Sequence, residues 1–233
     1  MSYSKLTNFN RNFIKKFTHN SRFKIAQKIL KNNNSNRVLD YGTGDGEFLK
    51  QLYENFPELN DISAYEPLVE RYDEVAKNIA SYNKISVYRN IKDIDKKFDT
   101  IFCMEVFEHL NFKISMQALE NISCLLNDRG LLIVSIPIEI GLGGFLKNLV
   151  RIAIRQTHEG TNLKNLFKIL FGLKIVRNND VDFIASHIGF SHVDLESLVK
   201  KAGFNIIKKT YSPFPYFGSS FNSQVFLIFD KNN

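Results

Sequence analysis

The hydrophobic and polar positions change period along the chain, and those changes mark out its elements. Near the start, Phe9, Phe13 and Phe17 recur at i, i+4 and i+8 with Arg11, Lys15 and Lys16 turned elsewhere, which is the pattern of an amphipathic helix. A second helix is predicted from Ser21, a good N-cap, with Ile25, Ala26, Ile29 and Leu30 apolar, and it stops in the polar run KNNNSN. From Arg37 the pattern shortens. RVLDYGTGDGEFLKQL reads as a short buried strand (Val38, Leu39), a tight turn with Gly42, Gly44 and Gly46, and a helix opening near Asp45. Further elements follow in alternation: strand 61–66 (DISAYE), helix 68–82, strand 85–89 (ISVYR), strand 98–104, a helix opening over 105–110, and strand 130–136 (GLLIVSI) ending at Pro137. Such alternation predicts parallel strands joined by crossover helices.

Residues 138–186 break the alternation. IGLGG reads as a glycine-rich hinge, followed by two amphipathic helices, FLKNLVRIAIR and NLKNLFKILFG. The segment 187–204 restores a helix, capped by Ser191 or Asp194 and ended at Gly203, and strands near 204–211 and 222–229 form an antiparallel hairpin. Their link, YSPFPYFGSS, is aromatic and proline-rich, a candidate lining for an acceptor pocket. The chain thus divides into an N-terminal helical cap (1–31), a core (32–137 with 187–233) and a helical insertion (138–186).

At 233 residues the chain can hold one sizeable α/β core plus an appendage, and 44% hydrophobic with 24% charged residues is the balance of an ordinary globular protein. No apolar run approaches a membrane span, and the start lacks the apolar core of a signal peptide. Cys103 and Cys124 show no metal spacing and fall in apolar segments, so they read as buried thiols of a reducing compartment; a cytoplasmic location is expected. The net charge of +7 is unevenly placed. Residues 1–31 carry eight Lys/Arg and no Asp or Glu, whereas the remainder has 23 basic and 24 acidic residues. That basic head suits phosphate, an anionic lipid surface, nucleic acid or an anionic substrate.

The glycine loop carries the sharpest chemical signal. A dinucleotide fingerprint needs G-x-G-x-x-G; this loop is G-x-G-x-G, with Glu47 where the third glycine belongs. Asp40, Asp45 and Glu47 flank it. A pyrophosphate would meet like charges, at roughly 4 kcal/mol per pair about 4 Å apart near a protein surface. The loop therefore suits a positively charged ligand. DYGTGDG resembles motif I of the class I S-adenosylmethionine-dependent methyltransferases, whose cofactor carries a sulfonium and an ammonium. Two further runs are similar to that family: KFDTIFCMEVFEHL to its fourth-strand motif, nearest the quinone-biosynthesis-type small-molecule O-methyltransferases, and HIGFSHVDLESLVKKAGF to its lead-in to the last strand pair. The resemblance covers roughly 20–230 and nothing specific in 138–186.

The resemblance implies a Rossmann-like, doubly wound, mostly parallel seven-stranded sheet with a C-terminal antiparallel strand, N-terminal helices and a helical insertion after strand five. It implies an S-adenosylmethionine site at Asp40, Tyr41, Gly42, Gly44, Gly46, Glu66, Pro67, Asn90, Met104 and Glu105. Glu66 stands at the ribose-binding position, and Asn90 replaces the Asp that many relatives have near the adenine, with Asp93 as competitor. Insertions after the fifth strand commonly shape the substrate site in this family, so 138–186, with seven Lys/Arg against four Asp/Glu, is expected to be a substrate lid.

Methyl transfer from a sulfonium needs orientation and no enzyme nucleophile. An oxygen or nitrogen acceptor still loses a proton, and His109, His187 and Glu105 are the candidate catalytic residues, with His192 and Glu108 beside them. The expected acceptor is a small molecule (sugar, quinone or lipid precursor), anionic or lipid-linked in character. One alternative is an RNA methyltransferase with a divalent metal at Glu105, Glu108 and His109, a set that shares a face if E-x-x-E-H is helical, with His187 or His192 as a further ligand. The other is a non-catalytic cofactor-binding module. Metal binding is the less favoured reading, and RNA the less favoured partner.

Overall fold

The computed structural model describes residues 21–153, 162–175, 177, 181–184 and 186–231. In chain order these form α1 (21–31), β1 (Arg37–Tyr41), α2 (Glu47–Asn55), β2 (Asp61–Tyr65), α3 (Val69–Asn78), β3 (Ile85–Tyr88), β4 (Phe98–Met104), α4 (Phe112–Leu125), β5 (Leu126–Pro137), α5 (Gly141–Ala153), α6 (Leu163–Leu170), α7 (His192–Lys201), β6 (Phe204–Ser212) and β7 (Gln224–Lys231). The predicted Phe9–Phe13–Phe17 helix lies outside the described residues. Ser21 already sits inside α1 and so is not its cap.

The sheet order is β3-β2-β1-β4-β5-β7-β6. All its pairings are parallel except those of β7, which runs antiparallel to β5 and β6. This is the expected Rossmann-like, mostly parallel seven-stranded sheet. Period-two alternation sends successive side chains to opposite faces. Val38, Phe102 and Ile228 join the core under α1, α2 and α3. Leu39, Ile101 and Leu227 join the other core, under α4 and α7. The chain winds outward from β1 through β2 to β3, then returns to β4 beside β1. That reversal leaves a crevice at the carboxyl ends of β1 and β4.

Three local predictions are corrected. The helix expected to open over 105–110 starts at Phe112, where Asn111 Oδ1 accepts from the Ile114 N–H at 2.9 Å. Glu105 takes φ +57°, which a right-handed helix cannot contain, and only a 3-10 turn (Phe107–His109) follows it. Gly143 and Gly144 are not a hinge but part of α5: a Cβ on Gly144 would stand 2.4 Å from the Glu139 backbone, so these glycines let the helix approach closely. Cys124 is exposed on α4, and only Cys103 is buried. At α7, Ser191 is the cap, accepting from the Asp194 N–H. No described helix is long and apolar enough to cross a membrane.

Candidate active site

The glycine loop after β1 lies in the crevice, with Gly42, Gly44 and Gly46 at φ +81°, +64° and +78°. The three do different work. A Cβ on Gly42 would stand 2.6 Å from Val106 Cγ2 and one on Gly46 2.6 Å from Val75 Cγ2, while one on Gly44 would meet nothing within 4 Å. Gly42 lets the turn after β4 close over the loop, Gly46 lets α2 start against α3, and Gly44 keeps an open side. The loop is tied to β2: the Gly42 N–H donates to the Tyr65 carbonyl at 2.7 Å, and the Gly44 N–H to Glu66 Oε2 at 3.1 Å. Glu66 Oε1 accepts from the Leu68 N–H at 3.2 Å. Burial raises the Glu66 pKa against the pull of those N–H groups. Asp40, buried at the end of β1, is pushed by its burial up to about 7.

One cavity of about 350 Å³ lies against Asp40, Gly42, Gly44, Arg22, Phe48 and Met104. A second of about 350 Å³ runs from Tyr41, Glu66 and Pro67 past Ile91 to His109, Ile114 and Phe183. Gly42, Arg71 and Glu105 line both, so the two are parts of one trough. At that junction Glu105 Oε1 accepts from Gln224 Nε2 at 3.0 Å, and the Arg22 guanidinium lies 3.7 Å from Oε2. Burial raises the Glu105 pKa, opposed by Arg22. On the far wall His109 Nδ1 sits 2.9 Å from the Ile184 carbonyl. A carbonyl only accepts, so Nδ1 carries the hydrogen and Nε2 keeps its lone pair. Burial lowers the His109 pKa, which leaves the ring neutral near pH 7.

A family model described as a methyltransferase domain matches residues 15–209. The chain belongs to this family. It is a class I S-adenosylmethionine-dependent methyltransferase, and its cofactor is S-adenosylmethionine. Solved structures of similar fold include an S-adenosylmethionine-dependent methyltransferase from Clostridium acetobutylicum (17% identity, 99% of each chain covered, TM-score 0.62). Another is the N-methyltransferase NodS from Bradyrhizobium japonicum (11% identity, 93% of this chain and 97% of that one, TM-score 0.58). A third is magnesium protoporphyrin IX methyltransferase from Synechocystis with bound SAH (14% identity, 94% and 87% covered, TM-score 0.58). No curated protein sequence matches significantly.

Beside the trough, this methyltransferase buries an unusual set of charges. Glu108 is fully buried, and neither carboxylate oxygen has a hydrogen-bond partner among the described residues. Burial, with Glu105 nearby, pushes its pKa well up. Ligand atoms of Glu108, His109 and His187 lie within 4.8 Å of one another, so among the described residues these three, and not Glu105 with Glu108 and His109, could hold a divalent cation. The unpartnered carboxylate fits such an ion. Glu105 departs from the set because the run is a 3-10 turn and not a helical face.

Two details of the site escaped sequence reasoning, the charge cluster at Glu139 and which residues of the insertion reach His109. Fully buried Glu139 takes Lys147 Nζ at 2.7 Å, Arg151 Nη1 at 3.1 Å and His187 Nδ1 at 3.8 Å. Burial works to raise its pKa, but Lys147, His187 and Arg151 more than reverse this and hold it well below the usual carboxylate range. The available signal was Lys147 and Arg151 one helical turn apart, soon after a strand end. The insertion also sends a segment over the site. The Ile184 N–H donates to the His109 carbonyl at 2.7 Å, Asn111 Nδ2 donates to the Val181 carbonyl at 3.1 Å, and Phe183 stacks on His109 at 4.9 Å.

Of the other expected site residues, Gly46 and Asn90 line neither cavity. Asn90 Oδ1 accepts from the Lys92 N–H at 3.2 Å, capping a turn whose Ile91 takes the cavity wall. His187 meets His109 edge-on at 4.7 Å. His192 is buried at the start of α7 and lines neither cavity.

Proposed function

We propose that this methyltransferase works in the cytoplasm and transfers a methyl group to an oxygen or nitrogen of a small-molecule acceptor seated in the second cavity. The observation that carries the reading is Glu105, which lines both halves of the trough and stands between the acidic glycine loop and the wall bearing His109. In this reading Asp40 and the open side of Gly44 take the cationic end of the cofactor, and Glu66 takes the ribose hydroxyls. Pro67, Leu68 and Ile91 border the adenine, and the acceptor lies among Val106, Leu110, Ile114 and Phe183. The insertion 138–186 acts as its lid, and residues 1–31 as a cap.

The reaction is an in-line displacement. When bound, the cofactor would supply an electrophilic methyl carbon and a neutral thioether leaving group that takes the electron pair of the broken bond, while a lone pair of the acceptor would form the new bond. Most of the acceleration comes from alignment. The acceptor proton passes to His109 Nε2 or to the Glu105 carboxylate. The names of the similar enzymes, an N-methyltransferase and a magnesium protoporphyrin IX methyltransferase, support a small-molecule acceptor. The finer likeness to quinone-biosynthesis-type enzymes rests on the run at 98–110 alone.

The test is transfer of labelled methyl from the cofactor to fractionated cell extract. Label is expected in the small-molecule fraction. His109→Asn should lower kcat by about 10²-fold or more, with cofactor affinity kept within a few-fold. Label confined to RNA, or no transfer at all, overturns the reading.

A second reading adds a divalent cation at Glu108, His109 and His187, favoured by the unpartnered Glu108 carboxylate. Bound there, the ion would supply Lewis-acid polarisation of an acceptor oxygen, leaving Glu105 as the proton acceptor. Chelated protein whose melting temperature is unmoved by magnesium, manganese or zinc removes this reading.

A further inference from the structure

The helix α5 is inside-out. Its inward stripe is Gly144, Lys147, Asn148 and Arg151: Gly144 and Asn148 are buried, and both cations reach down to Glu139. Most of its apolar residues point the other way, with Leu142, Leu146 and Leu149 each above 40% exposed. An ordinary surface helix does the reverse. On α6, Leu166 and Ile169 are buried, while Leu163 and Phe167, one turn apart, are 76% and 63% exposed. Phe145 packs on the Ile169–Ile175–Ile188 cluster, which joins α5 to α6. The same N-terminal turn of α5 rests on the link between β6 and β7, since a Cβ on Gly143 would stand 2.4 Å from the Ser219 carbonyl oxygen. That link exposes Phe214, Tyr216, Phe217 and Phe221. Outward apolar residues of α5 and α6, with the link packed beside α5, thus make an apolar surface on the strand-end edge that holds the trough, while Tyr216 of the link turns toward Ile25 and Ile29 of α1.

We propose that this surface docks on an anionic lipid bilayer, with the apolar side chains at headgroup depth. Its charges decide the occupant. Residues 162–175 carry Lys164, Lys168 and Lys174 and no Asp or Glu, and the link 213–222 carries no charge. Glu139, the acid with which Lys147 and Arg151 of α5 pair, is fully buried. Apolar and aromatic side chains flanked by lysines are what an anionic interface selects, each lysine adding about 1 kcal/mol near the surface. A second copy of the chain fits less well, because a two-fold contact of this patch sets lysines against lysines. The inference goes beyond the methyl-transfer reading and does not depend on the acceptor.

The experiment is co-sedimentation of the full chain with vesicles of phosphatidylcholine alone or mixed with phosphatidylglycerol, at low and moderate salt. Calorimetric cofactor binding reports the fold of each variant. The expected result is about tenfold stronger partitioning onto the mixed vesicles. Leu163→Ser with Phe167→Ser should reduce it about tenfold, and Lys164→Glu with Lys168→Glu should remove the preference for anionic lipid, both with cofactor affinity unchanged. Three outcomes overturn the proposal. One is no partitioning onto anionic vesicles. Another is partitioning that both double variants leave intact, which would assign it to the basic head. The third is a concentration-dependent dimer that Leu163→Ser with Phe167→Ser abolishes.

Discussion

Asp40 is an ionisable switch under the cofactor reading. Burial holds its folded pKa at about 7, against an ordinary 3.8. A raised carboxylate pKa means that the free protein binds the proton more tightly than the unfolded chain does. This residue's contribution to stability is therefore fully present below about 4 and lost as pH rises to about 7. A cationic ligand favours the ionised form, so protons compete with it below pH 7. Cofactor affinity measured by calorimetry should fall by up to about tenfold per pH unit below 7, and Asp40→Asn should flatten that slope. A pH-independent affinity between 5 and 7 in the wild type would exclude a direct role for Asp40. The loop glycines separate in the same way. Gly44→Ala meets no protein atom and should cost about 1 kcal/mol of stability for its positive φ, yet weaken cofactor binding about tenfold. Gly46→Ala drives a Cβ onto Val75 and should chiefly lower the melting temperature. Equal effects of the two on affinity and on stability would refute this division. All three glycines were legible in the sequence, but their division of labour was not, because it depends on Val106 and Val75 arriving from elsewhere in the chain.

At the scale of elements, two packing decisions shape the site. The 105–111 segment passes a residue at positive φ before α4 can start, and the candidate cation set joins Glu108 and His109 to His187 and not to Glu105. Helical periodicity cannot anticipate that, since it assumes the helix it is used to infer. The second decision is the anchoring of α5 by Glu139. A fully buried carboxylate holding two cations is costly to break, because removal of the acid leaves both cations partly desolvated. Glu139→Gln should lower stability by about 3 kcal/mol and speed amide exchange across α5, with β1 and α2 still protected. Wild-type exchange in α5 would show that the cluster does not anchor it.

For the whole molecule, the trough joins the segments that follow four strands, β1 to β4, to Phe183 of the insertion, so an occupant of it braces that half of the sheet's working edge. S-adenosylhomocysteine at about 100 times its Kd should stabilise the protein by about 2.7 kcal/mol, a rise in Tm of about 5–10 °C for a chain of this size. A shift below about 1 °C in a thermal melt would count against the assigned trough.

The sequence by itself determined the sheet, the glycine loop with its acids, and the donor they suit. Those features are local: a period of two, a turn that needs positive φ, and charges fixed beside it. Only the tertiary structure decided that Asn90 turns into its own cap, that Glu139 pins α5 with its apolar face outward, and that residues 181–184 lie across His109. Each of these depends on contacts between positions far apart in the chain. Their free energies come from burial and pairing that no local pattern encodes.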